Sequence, residues 1–127
     1  MSNSSEASLY ERLGGYDAIA AITDEFRDRL MNDPKIGYYW AADSLDTKRR
    51  DRQLTVDFLC EAAGGPTFYT GRNMQTSHVG LGITDSEYDL LMEHCIGTLE
   101  KLEVAEAEKA DVCAFINSLR DEIIEKQ

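Results

Sequence analysis

Residues 64–82 constrain the fold of this chain more than any other segment. They hold five of its nine glycines (Gly64, Gly65, Gly71, Gly80, Gly82) together with Pro66, inside a 127-residue sequence whose other apolar residues recur at helical spacing. Glycine permits backbone conformations that other residues resist, so the stretch reads as an irregular loop with room for one short helix. Before it, Ile19, Ile22, Phe26 and Leu30 predict a helix over 16–32, stopped by Asn32-Asp33-Pro34. Ser44 is placed to cap a further helix in which Leu54, Phe58 and Ala62 share a face, flanked by Thr55 and Leu59. After it, Thr84 and Glu87 form a capping-box pattern that opens a helix with Tyr88, Leu91, Met92, Cys95, Leu99 and Leu102 inward. A last helix carries Val112, Phe115, Ile116, Leu119 and Ile123 on one stripe. Two shorter pieces complete the pattern: a turn of helix over Leu9–Leu13 closed by Gly14-Gly15, and an aromatic turn at Ile36, Tyr38, Tyr39 and Trp40. No strand-like alternation occurs. The fold class is all-α, with one domain expected over 9–127 after a polar, disordered tail over 1–8.

Charge limits the partners. Twenty-four acidic side chains against thirteen basic ones give −11, a balance that repels nucleic-acid phosphates and anionic lipid. No apolar run approaches the roughly 18 residues of a membrane helix, and the first eight residues carry no secretory pattern. Neither nucleic acid nor membrane is expected as a partner. Cys60, Cys95 and Cys113 lie in apolar helical patterns with no zinc or redox spacing. They read as reduced core thiols of a cytoplasmic protein. The one dense basic cluster is Lys48, Arg49, Arg50 and Arg52. Alone it reads as a solvated turn; a bound anion is the alternative, since cations near a helix start oppose its dipole.

The common catalytic patterns are missing: no GxSxG, no GxxxxGK[ST], no HExxH and no CxxC. Asp24/Asp28 and Glu103/Glu106 fall on polar helix faces and read as solvated surface. Two histidines remain. His94, beside Leu91 and Cys95, reads as a core-edge histidine with a hydrogen-bond partner. His78 sits in the glycine-rich segment, four residues after Met74. A lone histidine cannot complete a zinc site, which needs about three or four protein ligands. It suffices for haem, whose porphyrin supplies the other nitrogens.

The run from Gly64-Gly65-Pro66 through Tyr69, Gly71, Arg72, Met74 and His78 to Gly80-Leu81-Gly82-Ile83 resembles the loop and proximal-histidine segment of group I truncated haemoglobins. Leu9-Tyr10 through Leu13-Gly14-Gly15, Phe26, and Phe58-Leu59-Cys60 before the double glycine resemble the same family, so the likeness spans roughly 9–120. It implies a two-over-two helical sandwich holding haem b, with His78 as the iron ligand. The cofactor-binding set it suggests is His78, Phe58, Leu54, Tyr69, Met74, Trp40, Phe26 and Ile83, with Arg52 and Arg72 for the propionates. The distal ligand pocket is expected from Phe26, Arg27, Asp51, Leu54 and Thr55.

The distal side departs from the family pattern. Many members carry tyrosine directly after the phenylalanine of the second helix, and here that position is Arg27. The facing positions, often glutamine, hold Asp51 and Thr55. Turned inward, Arg27 could supply a charged donor; it is expected instead to snorkel to solvent, which leaves Thr55 as the nearby hydroxyl and implies weaker oxygen retention than in tyrosine-bearing relatives. Dioxygen, CO and NO are the expected ligands, bound reversibly by a monomer. An alternative is an enzyme converting NO and dioxygen to nitrate with an external reductase, since no flavin or nicotinamide motif is present. A third reading, an acidic helical interaction module with an incidental His78, leaves the glycine-rich segment unexplained.

Overall fold

The computed structural model describes residues 7–124. Seven helices follow in order: α1 Leu9–Leu13, α2 Tyr16–Asn32, α3 Leu45–Ala62, α4 Met74–His78, α5 Asp85–Lys101, α6 Glu106–Ser118 and α7 Arg120–Ile123, with a 3-10 turn at Gly37–Trp40 between α2 and α3. No strand occurs among the described residues. α2 packs on α3 and on α5, and α5 packs on α6, which gives two crossed helix pairs. The short α4 rests against α7.

Local chemistry sets the helix ends. The Ser44 and Thr84 hydroxyls accept the backbone N–H of Thr47 and Glu87, closing α3 and α5 at the expected positions. At α1 the cap is Ser8, whose hydroxyl accepts Glu11 N–H while the Glu11 carboxylate accepts Ser8 N–H. This corrects the expected tail over 1–8: Ser8 belongs to the fold, and residues 1–6 lie outside the described ones. Replacing Ser8 by alanine is expected to cost about 1 kcal/mol in urea unfolding, a typical cap loss. The last predicted helix is also corrected, because the chain breaks at Leu119 into α6 and α7. Its stripe still turns inward, with Ile116 and Ile123 buried.

Two glycine positions show why the connections are so short. Gly14 takes φ +112°, closing α1 in the left-handed region before α2 begins two residues later. Gly65 lies so close to the Tyr10 ring that a Cβ there would meet it at 2.4 Å. Tyr10 N–H donates to Ala63 O at 2.8 Å, so the end of α3 is locked to α1.

Two clusters form the core. Ile19, Ala20, Val56 and Cys60 seal α2 against α3, while Ile22, Tyr88, Cys95, Leu99, Ile116 and Ile123 join α2 to α5, α6 and α7. Cys60 and Cys95 are buried thiols and Cys113 is half-buried; all three are free. Tyr88 O–H donates to Ile116 O at 2.5 Å, and burial pushes its phenol up to about 12.

His94 behaves as its sequence context suggests. Its Nε2 donates to Asp33 Oδ2 at 2.6 Å, tying α5 to the end of α2, while Lys35 N–H donates to Asp33 Oδ1 at 2.7 Å. The His94 bond, then that of Lys35, holds the Asp33 carboxyl below its usual range. A carboxyl depressed in the folded state adds stability that is present above its unfolded pKa and lost as pH falls through the folded one. The stability gap between the parent and Asp33→Asn, read from urea melts, is therefore expected to shrink as pH drops below about 4.

Candidate haem cleft

Between the two helix pairs lies a cleft of about 490 Å³. Cofactor sites span roughly 300–1,000 Å³. Phe26 and Arg27 of α2 and Leu54, Thr55 and Phe58 of α3 line it. So do Met74 and His78 of α4, with Tyr69, Arg72 and Ile83 from the loops on either side. Tyr39 and Trp40 come from the 3-10 turn, and Leu91 and Ile116 from α5 and α6. The walls are mainly aliphatic and aromatic, as an apolar macrocycle requires. Phe58 meets Tyr69 edge-on at 5.1 Å and Phe115 at 5.9 Å, so the floor is pre-packed.

His78 ends α4, which the Asn73 side chain caps by accepting Thr76 N–H at 2.7 Å. Its Nδ1 lies 2.8 Å from Met74 O and 2.9 Å from Ser77 Oγ. A carbonyl can only accept, so Nδ1 carries the proton, and in the neutral ring Nε2 keeps the lone pair. An imidazole oriented by a carbonyl on one nitrogen, with no partner on the other among the described residues, is the arrangement of a metal-ligating histidine. Among the described residues no three His, Cys, Asp or Glu side chains gather as a bare-ion site. The donor set thus fits a metal that brings most of its own ligands.

Arg27 overturns its expectation. It is only 9% exposed and lines the cleft instead of snorkelling outward. Its Nη2 donates to Lys48 O at 3.3 Å, and among the described residues it pairs with no carboxylate. Burial lowers its pKa, opposed by the fields of Asp51, Asp24 and Asp43. The reason lies in the neighbours: the carbonyl of Lys48 on α3 sits over this part of α2, so the guanidinium is held between helices. Thr55 is corrected with it. Its hydroxyl donates to Asp51 O within its own helix at 2.8 Å, which leaves no proton for a ligand.

Arg52 is not among the cleft-lining residues. Its Nε and Nη2 hold Asp24 Oδ1 and Oδ2 at 2.8 and 2.9 Å, because α2 and α3 pack side by side there. Arg72 does line the cleft and has no ion pair among the described residues. Gln53 bonds Tyr16 Oη at 2.9 Å and Asp57 at 3.0 Å, away from the cleft.

Other lining residues had no motif of their own. Tyr38 and Tyr39 stack at 4.4 Å and donate to opposite oxygens of Glu87 at 2.6 and 2.8 Å, with Tyr39 and Glu87 facing the cleft. Burial, then the bonds to Tyr38 and Glu87, raises the Tyr39 phenol. Burial also pushes the Glu87 carboxyl up, but the hydrogen bonds from Tyr38, the Thr84 backbone and Tyr39 outweigh it and leave it lowered. Leu91 and Ile116 were visible as parts of inward stripes, though not as cofactor wall.

An apolar cleft between two crossed helix pairs, entered by one oriented histidine, defines a haem-binding globin of the short, two-over-two kind. A family model described as bacterial-like globin matches residues 8–125. The chain belongs to this family, and as a globin it is a haem-based gas-binding protein. The group 1 truncated hemoglobin of Tetrahymena pyriformis is 27% identical over 119 residues, covering 94% of this chain and 96% of its own length. That of Synechocystis sp. is 31% identical over 112 residues, covering 85% and 88%. Among solved structures, ferric Tetrahymena pyriformis truncated hemoglobin matches with a TM-score of 0.85 at 27% identity, over 94% of this chain and 100% of that one. The 2/2 hemoglobin of Synechococcus sp., solved in the cyanomet state with covalently attached heme, matches at 0.84 with 25% identity, over 94% and 100%. No helix among the described residues is long and apolar enough to cross a membrane.

Proposed function

We propose that this chain is a single-domain cytoplasmic monomer, its domain starting at Ser8, that holds haem b through His78 Nε2 and reversibly binds dioxygen, CO and NO. When bound, the haem supplies the iron that takes the diatomic ligand. The observation that carries this reading is the Nδ1 contact of His78 with Met74 O, which leaves Nε2 as a lone-pair donor at the cleft. Phe58, Tyr69 and Trp40 would flank the macrocycle, and Arg72 is the cation available to a propionate. Arg27 takes the role first assigned to Thr55, offering N–H donors to the partial negative charge that dioxygen acquires. Absorption spectra of the ferric, ferrous and carbonyl forms test the reading, with histidine-ligated haem bands expected in all three. A purified protein that stays colourless after haem is added would sink it, and would restore the acidic interaction module.

The burial of Arg27 also favours a second reading. Conversion of NO to nitrate requires that dioxygen stay bound until NO arrives, and a charged donor lengthens that stay. Such turnover needs an external reductase. Rapid mixing of the oxygenated protein with NO should then give nitrate stoichiometrically in one turnover, and repeatedly only when a reductase is added.

A further inference from the structure

Gas binding between α2 and α3 leaves the aromatic residues of the 3-10 turn without a role. The Tyr38 and Tyr39 rings stack at 4.4 Å and 27°, and Trp40 meets Tyr39 edge-on at 6.2 Å. Tyr39 and Trp40 line the cleft, whereas Tyr38 is 59% exposed and is not part of its wall. A continuous aromatic contact thus runs from the cleft to solvent. Both phenols donate to a single carboxylate, Tyr38 to Glu87 Oε2 at 2.6 Å and Tyr39 to Glu87 Oε1 at 2.8 Å. Burial works against the charge on Glu87, but these bonds and the Thr84 N–H outweigh it, so the carboxyl stays ionised and only accepts. One such bond is enough to anchor the turn to α5. The second phenol adds an oxidisable ring in solvent with a proton acceptor already in place. At 2.6 Å the acceptor is within reach of direct proton transfer, so the Tyr38 ring can lose an electron and a proton together. That pairing suits oxidation of the ring, since an electron on its way to ferric iron has no Tyr38 proton to displace.

We propose that Tyr38 is a surface site for the one-electron oxidation of neutral phenols ArOH, joined to the haem cleft through the rings of Tyr39 and Trp40, with hydrogen peroxide as the oxidant. Two phenols are oxidised for each peroxide reduced to water. In each half of the cycle an electron leaves the Tyr38 ring by way of the stacked Tyr39 ring, and the phenolic proton passes to Glu87 Oε2. A phenol at the surface then returns an electron to Tyr38, Glu87 returns the proton, and the proton of the spent phenol goes to water. The O–O bond of the peroxide breaks as its oxygens take up two electrons and two protons. Overall, one hydrogen peroxide and two ArOH give two waters and two ArO•. A chain of net charge −11 repels anionic donors, which leaves the neutral phenol as the fitting class. The inference rests on the reading that haem occupies the cleft.

The test has two readouts on the ferric holoprotein mixed with hydrogen peroxide. A nitroso spin trap, with its adduct located by peptide mass spectrometry, reports where the radical resides. Oxidation of a phenol grafted onto polyethylene glycol, whose polymer keeps it outside the cleft, reports turnover at the surface. The parent should carry its adduct on Tyr38. Tyr38→Phe keeps the ring stack and is expected to lose both that adduct and most of the turnover. Glu87→Gln keeps a residue able to close the capping box but removes the proton acceptor. It should slow oxidation of the polymer-linked phenol by roughly a hundredfold, the low end of what a positioned base contributes. A haem-loaded parent with no adduct on Tyr38, or an unchanged rate in Tyr38→Phe, overturns the proposal. The carbonyl spectrum separates the two failures: an abnormal spectrum in the parent sinks the haem reading, whereas a normal one with Tyr38 untrapped sinks only the surface site.

Discussion

Replacing Arg27 by leucine is expected to speed dioxygen release by about tenfold to a hundredfold, the equivalent of the roughly 1.5–3 kcal/mol carried by a hydrogen bond from a charged donor. The expectation follows from where the side chain lies. At 9% exposure, and lining the same cleft as His78, Arg27 holds its donors out of competing water. Bound CO carries less negative charge than bound dioxygen, so CO release should change far less. The protein should fold at least as well, because a buried cation without an ion partner is more a burden than a brace. Off-rates from ligand replacement in parent and variant decide the matter. Equal dioxygen off-rates would show that the guanidinium does not reach the ligand, and would return the pocket to the weak retention suggested by the missing tyrosine.

His78→Ala should have the larger effect. It removes the imidazole proposed to hold the iron from the cleft wall, and even the outer partners of a metal ligand are worth about 10–100-fold in affinity, so haem retention should fall by more than roughly a hundredfold. Transfer of haem to a scavenging apoprotein measures this directly. His78 is only partly buried, so the far-UV circular dichroism of the apoprotein should hardly change. Imidazole added to the variant should restore much of the parent spectrum by filling the vacated position. A variant that keeps both haem and its ferrous spectrum without added imidazole would rule out this ligand.

Much of the frame can be read directly from residue order because helix ends are local events. Ser44 and the Thr84/Glu87 pair need only a neighbour three residues away to close α3 and α5, and both do so. The wall of the cleft was partly visible for a similar reason: Phe58, Leu54, Phe26 and Met74 lie on stripes or in the glycine-rich segment, and all line it. What escaped depends on contacts between distant residues. Arg27 points inward because the Lys48 carbonyl lies over it, and Arg52 turns away because Asp24 faces it across the α2–α3 seam. The bonds of Tyr38 and Tyr39 to Glu87 join positions nearly fifty residues apart, with no sequence signal beyond a capping box that Glu87 also serves. Side-chain direction at a helix seam is set by the partner helix, which periodicity alone does not specify.

The five-residue helix that carries His78 leans on α7, whose residues are made more than forty positions later. During synthesis the contact behind the imidazole therefore cannot form until residues 120–123 have emerged. Haem capture is expected to wait for that contact, so nascent chains stalled before residue 120 should emerge colourless even when haem is abundant.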